Sequence, residues 1–262
     1  MTSRHVNSIT GRLSLRSPQR KSLEILDRVM EIAQPHKLKR AGGDLKSALD
    51  IVRSEYPTVE DFEHAFPSLC FALATGVGKT RLMGAFITYL HLEHGIRHFF
   101  VLAPNLTIYN KLITDFTPNT PKYVFKGIAE FATEPPHVVT GDSYAQASTL
   151  PLEAFSRCTI NIFNISKIDA EVRGGRAPKI KQLSEYIGQS YFDYLASLPD
   201  LVLLMDESHR YRAKAGVRAI NELKPVLGLE LTATPYVEQS RGPVPFSNVV
   251  FDYALGQAME DG

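Results

Sequence analysis

Cysteine is scarce in this chain of 262 residues: only Cys70 and Cys158 occur. Two thiols so far apart form neither a disulfide framework nor a metal-ligand spacing, so both are expected to be reduced core residues. No apolar run approaches the roughly 18 residues that a membrane span requires. The opening MTSRHVNSIT also lacks the apolar stretch of a signal peptide. A soluble, cytoplasmic protein with no membrane partner is therefore expected. There is no internal repeat and no long low-complexity tract. Net charge is only +1, which argues against a generic polyanion binder acting through overall charge.

What is present is ordinary for a globular protein: 44% hydrophobic and 22% charged residues, enough for a sizeable core. The charge is unevenly spread. Residues 1–40 hold nine Lys/Arg against three Asp/Glu, and residues 222–262 hold two against six. The basic stretch reads either as a phosphate-contacting surface or as a solvated helix face. Residues 1–14 are polar and are expected to be a flexible tail. Residues 15–60 are expected to be an N-terminal helical extension. Its first helix covers 18–34, with apolar Leu23, Leu26, Val29, Met30 and Ile32 at helical spacing and Pro35 as its stop. A second helix is expected near 44–56.

Beyond residue 60 the period changes. Short apolar runs at 69–73, 98–103, 137–140, 159–163, 201–205 and 228–231 alternate with helical segments. This alternation predicts an α/β domain over 61–240, with a mostly parallel central sheet and helices on both faces. Ligands of such sheets bind at the carboxyl ends of the strands. Two segments interrupt the pattern. Residues 172–181 (VRGGRAPKIK) form a basic loop, read as a nucleic-acid contact or a plain insertion. Residues 183–198 follow as an amphipathic helix whose tyrosines are expected in the core.

The strongest local signal is Ala74-Thr75-Gly76-Val77-Gly78-Lys79-Thr80, between a strand-like run and a helical pattern over 81–94. Gly76 and Gly78 let the backbone approach oxygens closely. Together with Thr75, Val77 and the helix N-terminus they form an anion cradle. Lys79 supplies a point charge for the outer phosphates, and Thr80 a hydroxyl for Mg²⁺. Leu73 stands where the strict pattern has glycine. A second signal follows the run 201–205: Asp206-Glu207-Ser208-His209. Asp206 is expected to hold Mg²⁺, Glu207 to orient or deprotonate the attacking water, and His209 to sit near the γ-phosphate. Third comes Leu231-Thr232-Ala233-Thr234-Pro235, where Thr232 and Thr234 are expected to couple the acidic motif to a nucleic-acid groove.

These three motifs in this order resemble the first RecA-like domain of superfamily 2 helicases. FFVLAPNLTIYNKLITDF (99–116) and INIFNISKI (160–168) look like the ATPase subunit of type III restriction enzymes. LRSPQ (15–19) looks like the adenine-reading segment of the superfamily, in which Gln19 would bond the adenine edge; an ordinary helix start is the other reading. The resemblance implies ATP and Mg²⁺ as cofactors and nucleic acid, by analogy double-stranded DNA, as partner. It places Asn105 and Ser166 along the nucleic-acid strand, although Asn105 after Pro104 reads equally as a turn residue. It also implies a second RecA-like domain or partner chain bearing arginine fingers, and a methyltransferase or specificity subunit. Residues 241–262 are expected to begin the linker to that second domain, so the chain alone is expected to bind ATP–Mg²⁺ and hydrolyse it slowly. No candidate for the nuclease domain of type III enzymes is found. Two other classes stay open: a nucleotide-dependent binding module that switches without productive hydrolysis, and a degenerate remnant with a structural role.

Overall fold

The computed structural model describes residues 3–144, 157–165, 190–212, 214–239 and 242–253. All six apolar runs form strands: β1 (Ser68–Leu73), β2 (His98–Ala103), β3 (His137–Thr140), β4 (Thr159–Asn164), β5 (Leu201–Asp206) and β6 (Leu227–Thr232). A small antiparallel hairpin, β7 (Tyr236–Gln239) and β8 (Gly242–Pro245), stands apart. A further strand, β9 (Val249–Tyr253), joins the main sheet. Its order is β3-β4-β2-β5-β6-β1-β9, and every neighbouring pair is parallel.

The strands are apolar throughout because both faces of the sheet are covered. Phe99, Val101, Val202, Leu204, Leu229 and Leu231 enter one core, while Phe100, Leu102, Leu203 and Met205 enter the other. The first core is capped by α1 (Arg4–Arg12), α2 (Ser17–Ile32), α4 (Leu45–Glu55), α5 (Lys79–His94) and α6 (Leu106–Phe116). Between α2 and α4 lies α3 (Pro35–Ala41), and α7 (Ala129–Thr133) follows α6. The second core is covered by α8 (Tyr191–Ser197) and α9 (Lys214–Glu222). α5 is buried continuously from Leu82 to Leu90, as a helix apolar on all sides must be. It lies between the sheet and the pair α1–α2, which it meets through the Tyr89 hydroxyl donating to Asp27 Oδ1 at 2.8 Å.

Three local expectations are corrected. Residues 3–14 of the expected tail are not loose. Ser3 caps α1 by accepting from the Val6 N–H at 3.2 Å, and Val6, Ile9 and Leu13 repeat at helical spacing and are buried. Pro35 does not merely end a helix; it opens α3, where a missing N–H costs nothing. The described part of 241–262, residues 242–253, is not simply the start of a linker, since Val249–Tyr253 pairs with β1. The expected helix at 44–56 is α4, with Asp44 accepting from the N–H groups of Lys46 and Ser47. Of the helix expected at 183–198, the described part is α8, and its Tyr191 is in the core, donating to Asn161 Oδ1 at 2.6 Å. The basic loop 172–181 and Ser166 lie outside the described residues. Of the N-terminal basic residues, Arg20 pairs with Glu24, Arg28 with Glu31 and Glu55, and Arg12 with Glu130, as a solvated helix face would.

A buried polar network fastens β9 and its approach to the sheet. Glu230, in mid-β6, accepts from Ser68 Oγ at 2.8 Å and Asn248 Nδ2 at 2.6 Å, and pairs with Arg212. Arg212 also pairs with Glu63 and lies 3.8 Å from the centre of the Phe246 ring. Burial pushes the Glu230 carboxyl up, but the His64 imidazole, whose Nε2 lies 3.4 Å away, and the Arg212 charge outweigh it and hold the group at about 2.

The packed N-terminus yields a direct test. Ile9→Ala removes a fully buried side chain between α1 and α5 and is expected to cost about 2–5 kcal/mol in urea unfolding. A loose tail would make the same substitution silent.

Candidate active site

β1 delivers the loop 74–78 to the carboxyl edge of the sheet. Gly76 and Gly78 have φ of 88° and 91°, a region that glycine enters without strain. Gly78 caps α5 with no side-chain cap, so the first N–H groups of that helix have no side-chain partner. The sheet order places β6 between β1 and β5, so the three motifs leave the tips of three adjacent strands. β1 and β5 are two strand spacings apart, about 10 Å.

Across that gap the functional groups meet. Lys79 Nζ lies 3.0 Å from Glu207 Oε1 and donates more weakly to the Leu73 carbonyl at 3.4 Å. Asp206, the last residue of β5, is 7% exposed, and its Oδ1 is buried without a hydrogen-bond partner. Burial, then the neighbouring Glu207 charge, pushes its carboxyl up to about 6, against the pull of Lys79 and Lys111. A buried carboxylate oxygen with no donor is suited to a cation or its water. With the Thr80 hydroxyl on the facing helix, the residues fit a magnesium site that completes its shell from water and phosphate. Glu207 has φ 50° and ψ 55°, a left-handed conformation that non-glycine residues adopt at a cost of about 1–3 kcal/mol. The turn after it is held: the Tyr211 hydroxyl donates to the Asp206 carbonyl at 2.9 Å and lies 3.1 Å from that of Leu102.

His209 Nδ1 lies 3.0 Å from Thr232 Oγ1, 2.9 Å from Thr234 Oγ1 and 3.6 Å from Glu207 Oε2. Burial lowers the imidazole pKa, outweighing the opposing charge of Glu207. Thr232 Oγ1 is itself 3.4 Å from Glu207 Oε2. The acidic motif and the Thr-Ala-Thr turn are thus one hydrogen-bonded unit.

Gln19 also reaches the loop, though differently from the adenine-reading expectation. Its amide donates to the carbonyls of Val77 and Gly78 at 3.0 and 2.9 Å, and its Oε1 accepts from the Arg16 N–H at 2.8 Å. Both ends of the amide are engaged by the chain, bracing the loop from behind. A Cβ on Gly78 would stand 2.7 Å from Gln19 Nε2, a second reason for glycine there. Thr75 and Gly76 are exposed at the loop tip, and Val77 is buried. Asn105 caps α6 by accepting from the Ile108 N–H at 2.9 Å, which accords with its turn reading.

Sequence reasoning missed Lys111. Its amine donates to Thr80 Oγ1 at 3.0 Å, and the i,i+4 pair with Asp115 was the only trace of it in the sequence. Thr80, Gly78, Lys111 and Asp115 border a cleft of about 780 Å³ that also includes Arg81 and Lys122, a volume within the range of small-molecule sites. A smaller cavity of about 420 Å³ lies near Phe66, Pro67 and Val226, just before β1 and β6 and so away from the motif tips.

Comparison with known proteins adds the following. A family model described as "Type III restriction enzyme, res subunit" matches residues 13–237. No curated protein matches. Among solved structures, the chain is similar to a nuclease-deletion mutant of the Type ISP restriction-modification enzyme LlaGI in complex with a DNA substrate mimic. The TM-score is 0.46 and the identity 16%, over 81% of this chain and 18% of that one. It is also similar to the Sulfolobus solfataricus SWI2/SNF2 ATPase core in complex with dsDNA, with TM-score 0.37 and 15% identity over 70% of this chain and 31% of that one. The chain therefore spans under a third of the length of either.

Asp206 gives a pH test. Its folded value lies above the ordinary 3.8, so between about pH 4 and 6 the native state holds a proton that the unfolded chain has released. The stability from this group is full below the ordinary value and is lost as pH rises through about 6. In metal-free urea titrations Asp206→Asn is expected to exceed the parent by about 1–3 kcal/mol near neutral pH. The gap should close near pH 4; an equal offset at both pH values would contradict the assignment.

Proposed function

The chain belongs to the type III restriction enzyme res subunit family, and from that premise we propose that it binds ATP with Mg²⁺ and hydrolyses it to drive movement on nucleic acid, double-stranded DNA in the first instance. One observation carries this reading: Lys79 and Glu207 face each other at 3.0 Å beside a buried Asp206 whose Oδ1 has no hydrogen-bond partner.

The chemistry follows from those groups. Lys79, now paired with Glu207, exchanges that carboxylate for phosphate oxygens when nucleotide enters. The exchange leaves Glu207 free to accept a proton from the attacking water. Its left-handed backbone fixes the carboxylate one residue beyond Asp206. Asp206 and Thr80 are the residues that would hold Mg²⁺, which when bound neutralises charge on the outer phosphates. The loop N–H groups and the open end of α5 bind the remaining oxygens. Thr232 and Thr234, joined to Glu207 through His209, form the route by which a shift of the turn moves the base. Asn105 and Ser166 are proposed contacts along the nucleic-acid strand.

Among the described residues, the cations acting on Asp206 are Lys79 and Lys111. An arginine contributed by a second RecA-like domain or a partner chain raises turnover in such sites by about 10³–10⁵. Hydrolysis by these residues without such an arginine is proposed to be slow. Family membership extends the proposed partners to a methyltransferase or specificity subunit.

Glu207→Gln decides between hydrolysis and a nucleotide-operated switch. The variant is expected to bind ATP within about twofold of the parent and to lose at least about 10²-fold in turnover. Unchanged slow turnover, with nucleotide binding retained, would overturn the assignment of Glu207 as base and favour the switch.

A further inference from the structure

Lys111 lies in none of the three motifs, yet it touches one of their residues. It sits on α6, and its half-exposed side chain leans across to α5, where Nζ donates to Thr80 Oγ1. That hydroxyl is the oxygen that the magnesium reading assigns to the metal. A lysine ammonium is a donor only, and it takes the lone pair that a ligand oxygen would offer. An ammonium and a divalent ion on one hydroxyl would also repel each other at close range. One turn along α6, Asp115 Oδ2 stands 3.4 Å from the same Nζ. Asp115 is 5% exposed, and its carbonyl accepts from the Val124 N–H at 2.9 Å, which holds that turn in place. The amine thus has two partners, one at the metal position and one set back in the wall of the cleft.

We propose that Lys111 is a resident counter-cation: it occupies the magnesium position on Thr80 while the site is empty, and it withdraws to Asp115 when metal and nucleotide enter. The inference rests on the nucleotide reading above and adds a residue to it. The resident ammonium partly offsets the charge of Asp206 before metal arrives. It also gives metal-free nucleotide a cation to bind, and it makes magnesium compete for its own ligand. Asp115 sets that competition by accepting the displaced amine.

Calorimetric titration of the whole chain with ADP, in EDTA and over a magnesium series, tests this without any turnover. Lys111→Met is expected to weaken metal-free ADP binding about tenfold, the worth of one charge-assisted hydrogen bond. The magnesium concentration that half-restores full affinity should fall several-fold in the same variant. Asp115→Asn should raise that concentration, because the displaced amine loses the carboxylate charge that holds it. Loss of affinity by the same factor with and without magnesium, or no change in either variant, would overturn the proposal. If the parent chain binds no ADP under either condition, the nucleotide reading itself falls, and this inference with it.

Discussion

The account turns on the placement of β6 between β1 and β5. Parallel strands two positions apart keep their tips about 10 Å from each other. One tip carries a glycine loop and a lysine at a helix mouth, and the other carries two adjacent acids. That gap exceeds the span of a direct backbone contact, and the long Lys79 and Glu207 side chains bridge it. Everything else serves to hold it. Both faces of the sheet are sealed by apolar cores, α5 is wedged under α1 and α2, and the turn after Asp206 is tied back by Tyr211 and Arg212.

The site is poised by opposed charges rather than by neutral packing. Asp206 is buried next to a like charge, Glu207 is held in a left-handed backbone, and two lysines counter them. Such an arrangement is costly in itself, and under the proposed function it becomes favourable once a polyanion and a cation enter together. The His209–Thr232–Thr234 cluster ties the acidic motif to the next segment of chain, since the hairpin β7–β8 follows the Thr-Ala-Thr turn directly.

Much of this was legible in the residues. The six apolar runs were short, continuous and bounded by turn residues, so their strand character and parallel pairing could be read directly. Lys79, Thr80, Asp206, Glu207, Thr232 and Thr234 could be placed at strand tips because each follows such a run. What escaped had weaker local signals. β9 offers only Val249, Val250 and Phe251 as an apolar run, and its place at the edge depends on a network spread over Glu63, Ser68, Arg212, Glu230 and Asn248. α1 was masked by its polar composition, although its two apolar residues, Val6 and Ile9, and the capping Leu13 share one face. Gln19 was linked to the site by resemblance, but its contact with the loop carbonyls depends on how α2 docks, which no local pattern encodes. Lys111 meets Thr80 only through the packing of α6 against α5.

The most direct measurement replaces magnesium with manganese and records the pulsed magnetic-resonance coupling between the metal and phosphorus in the presence of a non-hydrolysable ATP analogue. The account predicts clear phosphorus coupling in the parent chain, with the bound manganese lost in Asp206→Ala and the nucleotide lost in Lys79→Ala. Manganese that binds tightly with no phosphorus coupling, or coupling that survives both substitutions, would contradict it.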